Sequence, residues 1–280
     1  ISGKSPPIPV PKFRNEDLLA VYPIGDPHFG MYAWAEESGA DYDLNTAEIV
    51  TKAAISNLID RAPPAKTAII LELGDFYHTD NKNNQTSRSG NALDIDTRWA
   101  KVVMRGKDVM IFCIEQALTK HEKVIVKLIE GNHDDHSSYL LSMVLEAYFK
   151  NNNRVHVDMS PSRFWYYRFG KVLIGSTHGD TTKPEKRAGI MSTDRPKDWG
   201  ITTDRYWYTG HVHHSQVKEF YGVTWECFRT LAAKDAWHSS EGYRSGRDMR
   251  CIIHHKDSGD YDRIRCDYSI VEHLIKDKIA

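Results

Sequence analysis

The chain of 280 residues is poor in cysteine, carries no excess of charge of either sign and contains no long apolar run. Its four cysteines, Cys113, Cys227, Cys251 and Cys266, form no CxxC pair, which argues against a cysteine-zinc site and a disulfide framework; they read as buried thiols of a reducing compartment. The longest apolar stretches, such as VLIG and TAIILELG, fall far short of the roughly 20 residues that a membrane-spanning helix needs. No charged-then-apolar leader opens the chain, so the expected location is cytoplasmic and no membrane partner is expected. With 37 basic against 38 acidic residues the net charge is −1, and any contact with nucleic acid has to come from a local basic patch and not from overall attraction. Internal repeats and low-complexity tracts are absent as well. Histidine is what the chain has in quantity, with 14 residues, and several of them fall in short motifs rich in Gly, Asp and Asn.

A hydrophobic content of 40% allows a substantial core. The opening ISGKSPPIPVPK holds four prolines and favours extended backbone, so residues 1–17 read as a linker or as an edge behind an upstream domain. From Leu18 the pattern alternates. LLAVYPIGD predicts a strand, and NTAEIVTKAAISNLIDRA a helix with Asn45 and Glu48 at its N-terminal cap. TAIILELGD predicts a second strand, followed by the polar loop HTDNKNNQTSRSGN and a helix from about Ile95 to Leu118; KVIVKLIEGN and SYLLSMVLEAYFK repeat the unit. Adjacent strands follow at RFWYYRFG and KVLIGSTHGD, with FG as a hairpin turn, then at RYWYTGH, SQVKEFY, VTWECFR and RCIIHHK. The class is α/β, with one core over residues 18–232 that residues 233–280 complete with C-terminal strands and a tail.

Five of these strands end in side chains able to bind metal: YPIGDPHFG, LELGDFYHTD, KLIEGNHDD, IGSTHGD and YTGHVHH. Each has an ordinary reading by itself. DxH and GD are common turns, a histidine at a strand end is often just hydrogen-bonded there, and HVHH suits a solvated basic loop. In an α/β sheet, however, the loops beyond the carboxyl ends of the strands converge on one crevice, and five such clusters predict a single site. A histidine between Asn132 and two carboxylates adds a group that titrates near neutrality, which a turn does not require and an acid/base site does.

Taken together, Asp26-Pro27-His28, Gly74-Asp75, Gly131-Asn132-His133-Asp134, His178 and Gly210-His211-Val212-His213 resemble the signature of the calcineurin-like binuclear metallophosphoesterases, in order and complete. The resemblance spans residues 24–214 and implies a four-layer sandwich of two mixed β-sheets flanked by helices. Carried over by position, it implies that Asp26, His28 and His213 hold one divalent ion, that Asn132, His178 and His211 hold a second, and that Asp75 bridges them. The expected metal is Mn, with Fe, Zn and Mg as alternatives, because the donors are Asp, His and Asn without thiolate. His133, not needed as a ligand, is expected to protonate the leaving group or orient the phosphate, and Asp134 to fix its tautomer.

The expected activity is phosphoester hydrolysis by a metal-activated water. Protein phosphatases of this superfamily extend GD to GDxxDRG, whereas this chain reads GDFYHTDN and lacks the phosphate-binding arginine. The combination Asp26-Pro27-His28-Phe29-Gly30, His78 and GNHDD is similar to the SbcD-type DNA repair nucleases, and places His78 on the substrate side. The chain after GHVHH is short for the capping domain of those nucleases. Lys183, Lys186, Arg187, Arg195, Arg244 and Arg247, with Trp237 and Tyr243, offer basic groups interleaved with aromatics for a nucleic-acid or nucleotide substrate, or else solvated loops. A phosphodiesterase is the leading expectation. A small-molecule or phosphoprotein monoesterase is the alternative, and an inactive scaffold of the same fold the remote one.

Overall fold

The computed structural model of the chain describes residues 1–86 and 90–279. The strands run β1 (Asn15–Ile24), β2 (Ala65–Glu72), β3 (Lys123–Leu128), β4 (Val155–Val157), β5 (Trp165–Phe169), β6 (Val172–Ser176), β7 (Asp204–Thr209), β8 (Gln216–Phe220), β9 (Val223–Cys227), β10 (Asp248–His255) and β11 (Gly259–Asp267). The helices are α1 (Ala35–Ser38), α2 (Leu44–Arg61), α3 (Trp99–Lys120), α4 (Ser137–Phe149), α5 (Arg187–Asp194), α6 (Pro196–Ile201), α7 (Ala236–Ser240) and α8 (Tyr268–Ile279).

Two mixed sheets result. The first has the order β11-β10-β1-β2-β3-β4, the second β5-β6-β7-β9-β8. β1 to β4 are parallel, as are β6, β7 and β9, while β10, β11, β5 and β8 are antiparallel to their neighbours. Side chains alternate faces along a strand. Ala20 and Tyr22 of β1 therefore pack outward with α2 and α3, and Leu19 and Val21 pack inward against Ile174, Tyr206 and Tyr208 of the second sheet. On the far side of that sheet Leu173, Trp207 and Trp225 bury against Met191 of α5. The layers are helices, sheet, sheet, helices, as the motif resemblance implied, and β10 lies beside β1 within the first sheet.

Some local expectations change. α2 is capped not by Asn45 and Glu48 but by Asp43, whose Oδ1 accepts from Thr46 N at 2.7 Å; Glu48 instead pairs with Lys52 and Arg105. α3 begins at Trp99 because residues 94–96 are drawn into extended pairing: Tyr32 N donates to Asp94 O, Met31 bridges to Ile95, and Asp96 Oδ2 accepts from Leu44 N. The Pro-rich opening runs against α4, with Gly3 N on Ala147 O and Arg154 Nη1 on Ile8 O. β11 and α8 were not foreseen as elements. Positions 87–89 of the polar loop and the side chain of Trp237 lie outside the described residues. Among the described residues no helix is long and apolar enough to cross a membrane.

Candidate metal centre

All five motifs sit just beyond the carboxyl ends of parallel strands: β1 delivers Asp26 and His28, β2 Asp75, β3 Asn132 and His133, β6 His178, and β7 His211 and His213. The turns that carry them are strained. Asp26, His28, Asp75, His211 and His213 all have positive φ, between 47° and 73°, a region that costs a non-glycine residue about 1–3 kcal/mol. Close approach of backbone to ligand explains two of the motif glycines. A side chain at Gly131 would collide with the Asp75 carboxylate, and one at Gly210 with the Asp26 carboxylate.

The donors gather in two groups. In the first, His28 Nε2 stands 3.1 Å from His213 Nε2, which is 3.6 Å from Asp26 Oδ1. In the second, His178 Nε2 has Asp75 Oδ2 at 3.1 Å, Asn132 Oδ1 at 3.1 Å and His211 Nδ1 at 3.2 Å. The tautomer of a neutral His178 follows from its other nitrogen: Nδ1–H donates to Leu73 O at 2.8 Å, so Nε2 is bare and faces a carboxylate and an amide oxygen. Lone pairs thus converge with too few protons to pair them, which is the arrangement a divalent cation satisfies. The electrostatics agree: burial opposes an imidazolium at His178, but the charges of Asp75 and Asp26 outweigh it and raise the group to about 10. Proton and cation are alternative answers to the same demand for positive charge. Oxygen and nitrogen donors without thiolate suit Mn, Fe, Zn or Mg.

The seven ligands expected from the sequence are therefore brought together. Asp75, expected to bridge the two groups, stands with the second; its Oδ1 is taken up by His133 N at 2.8 Å, and Oδ2 faces His178. His133 lines the cavity above the centre, and its Nδ1–H donates to His78 O at 2.9 Å, which leaves Nε2 for the cavity.

Two expected roles are corrected. Asp134 does not fix the His133 tautomer: it is fully buried, and its carboxylate accepts from the backbone N–H of Asp75, Tyr77 and Gly131 at 3.1–3.2 Å, tying two ligand turns together. His78 is not on the substrate side. It is 1% exposed, is absent from the cavity lining, and places Nδ1 3.2 Å from Nδ1 of His28. Burial, reinforced by His133, pushes its imidazole down to about 3, so it is neutral at ordinary pH and serves His28 as a hydrogen-bond partner.

The basic residues expected to follow nucleic acid do not form one track. Arg187 is 2% exposed and lies over Trp225, Arg195 pairs with Asp198, and Arg247 stacks on Tyr268 while donating to Leu231 O. Lys183, Lys186 and Arg244 are exposed.

The cavity has a volume of about 310 Å³ and extends from the centre to Thr86, Leu93, Val212 and Tyr243. Two titratable residues of its lining escaped the sequence reading, Asp235 and His238. The signal was present: β9 is parallel to β7, so its carboxyl end must also open towards the site, yet the polar pair comes eight residues after Cys227, where no short motif marks it.

No protein-family model matches this chain, and no curated protein matches it. Among solved structures, an archaeal phosphodiesterase is 13% identical, with 88% of this chain and 99% of that one covered and a TM-score of 0.42. Vps29 complexed with zinc, from Entamoeba histolytica, is 13% identical over 89% and 99% of the two chains, at a TM-score of 0.37. A predicted phosphoesterase from Streptococcus pneumoniae is 8% identical over 89% and 98%, also at 0.37. Likeness of this degree decides nothing about activity. The resemblance to calcineurin-like metallophosphoesterases stands on the chain's own motifs and on the two-sheet architecture that gathers them.

Proposed function

We propose that the chain is a binuclear metal-dependent phosphodiesterase acting on nucleic acid or nucleotides. The observation that carries this reading is the convergence of seven oxygen and nitrogen donors in two groups, five of which, His28, Asp75, Asn132, His211 and His213, line one cavity. Asp26, His28 and His213 would hold one divalent cation, and Asp75, Asn132, His178 and His211 the other. Bound there, such cations supply Lewis-acid polarisation of phosphoryl oxygens and activation of water.

The protein's own groups do the rest. His133 presents Nε2 to the cavity with its ring orientation set by His78 O, as a group that donates a proton to a departing alkoxide must. Asp134, through three backbone N–H groups, keeps the Asp75 and Gly131 turns in register, so the ligands do not reorganise as charge develops. Val212, Leu93 and Tyr243 give the cavity an apolar flank that excludes water and accepts an organic arm.

A diester is favoured over a monoester by what lines the cavity. Among the described residues that lining holds no Arg or Lys, whereas a dianionic monoester calls for a fixed cation in addition to the metals. The test is hydrolysis of bis(p-nitrophenyl) phosphate, p-nitrophenyl phosphate and single-stranded DNA by Mn-loaded protein, with metal analysis of the same sample. The expected result is two ions per chain, faster turnover of the diester and cleavage of the DNA. A tenfold preference for the monoester with intact DNA would make the protein a phosphomonoesterase.

A further inference from the structure

A row of four imidazoles crosses the cavity floor. The ring of His133 lies 4.9 Å from that of His28, His28 lies 5.0 Å from His213, and His213 lies 4.8 Å from His238, which stacks on it at 19°. The two inner rings belong to the first ligand group. The outer two, His133 and His238, line the cavity without belonging to either ligand group, and each is held through Nδ1, His133 by a carbonyl and His238 by the Asp235 carboxylate at 2.7 Å. Asp235 also lines the cavity, and Tyr243 meets the His238 ring edge-on at 5.0 Å. This assembly sits on the loop that follows β9, the remaining strand that runs parallel with β6 and β7.

We propose that His238, oriented by Asp235, is a substrate-contacting residue that hydrogen-bonds a phosphoryl oxygen of the ester at the other end of the imidazole row from His133. The inference rests on the phosphoesterase reading above and deepens it. Nδ1 is committed to Asp235, so the substrate oxygen is met through Nε2. Asp235 is then a positioning residue, because it acts only through the ring it holds. The pair gives the cavity a polar contact for phosphate on a side where no Arg or Lys is described, in keeping with a monoanionic diester.

A purely structural account of the pair exists and predicts something different. Asp235 Oδ1 also accepts from His238 N at 2.8 Å, so Asp235 caps the short helix α7, and the His238 ring meets that same oxygen through Nδ1. The cap uses only the backbone N–H of position 238, and Asn caps a helix about as well as Asp, so His238→Gln and Asp235→Asn keep the cap while moving or discharging the contact with substrate.

The experiment uses the full chain loaded with Mn. Inorganic phosphate is titrated calorimetrically, bis(p-nitrophenyl) phosphate kinetics are measured, and metal content and Tm are recorded for the wild type, His238→Ala, His238→Gln and Asp235→Asn. Both His238 variants should keep two metals per chain yet bind phosphate roughly 10- to 100-fold more weakly, the scale of a hydrogen bond to a charged group, with KM for the diester raised in parallel. His238→Gln should do so at an unchanged Tm, and Asp235→Asn should show a smaller loss in the same direction. Wild-type phosphate affinity and KM in His238→Gln would overturn the role, as would loss of metal from that variant. A wild type that binds two metals and hydrolyses neither p-nitrophenyl ester would instead overturn the phosphoesterase reading, and the phosphate titration would then decide His238 by itself.

Discussion

The ligand floor and the outer wall of the cavity are built on opposite principles. The floor is assembled from turns of a few residues, each locked by the next: Asp26 accepts with both oxygens from His211 N, Asp75 accepts from His133 N, and Asp134 accepts from three backbone N–H groups, all in buried surroundings. The wall is made of longer excursions, around Thr86 and Leu93 and along the loop after β9, whose described contacts are both local, as in Thr86 N to Asn91 O and Asp235 to His238, and distant, as in Thr230 Oγ1 to Asp26 O. A floor proposed to hold cations has no freedom to vary its geometry, so strain there is tolerated and offset by the dense hydrogen bonding around it. Damage to the floor should therefore abolish chemistry, and damage to the wall should change affinity.

The largest effect is expected from Asp75→Asn, which removes a carboxylate from the floor. Metal content should drop below two per chain, and turnover should fall by roughly 10³-fold or more, towards that of protein stripped with a chelator, the scale of losing several kcal/mol of transition-state stabilisation. Full turnover with two metals in this variant would break the division between floor and wall.

His133→Asn comes next, because His133 stands on the floor but faces the cavity. Turnover should drop roughly 10²- to 10⁴-fold at unchanged metal content, and the loss should be larger for a poor leaving group than for p-nitrophenolate. Equal losses for both would show that the ring only orients the phosphate.

His78→Ala sharpens the comparison further. As a residue behind His28, its removal should weaken metal binding by roughly 10- to 100-fold and be relieved by excess Mn, with diester and monoester affected alike. A loss confined to diesters, unrelieved by metal, would return His78 to the substrate side.

The smallest effect concerns a histidine that belongs to neither region. His121 is buried beneath the first sheet, between Tyr22 Oη at 2.8 Å and Ala65 O at 2.7 Å, and burial lowers its imidazole to about 4. An unfolded histidine titrates near 6.5. Between those values the unfolded chain takes up a proton that the folded chain refuses. The contribution of His121 to stability is therefore intact above about pH 6.5 and declines by about 1.4 kcal/mol per pH unit as the pH falls towards 4. His121→Gln should flatten the denaturation midpoint against pH in that window, and an unchanged slope would mean that the ring is already protonated in the fold.

How much of this was legible follows from distance along the chain. Strand alternation, the α/β class and the gathering of metal-capable side chains at strand ends could be read from the sequence because each depends on neighbours: a period of two along β1, or a Gly-Asp pair placed directly after β2. Side chains that are to meet in one crevice must leave the strand end together, so their spacing is short and recognisable. The partner of Asp134 was not legible, since backbone N–H groups near Asp75 bid for its carboxylate from almost 60 positions away and carry no side-chain signature. The orientation of His78 towards His28, the burial of Arg187 under Trp225 and the arrival of His238 beside His213 were likewise decided only when the two sheets closed face to face. Chemistry that a single turn can hold is written locally, whereas burial and direction are properties of the packed sheets, and the tertiary structure alone chose which histidine stands behind the metal centre and which stands in front of it.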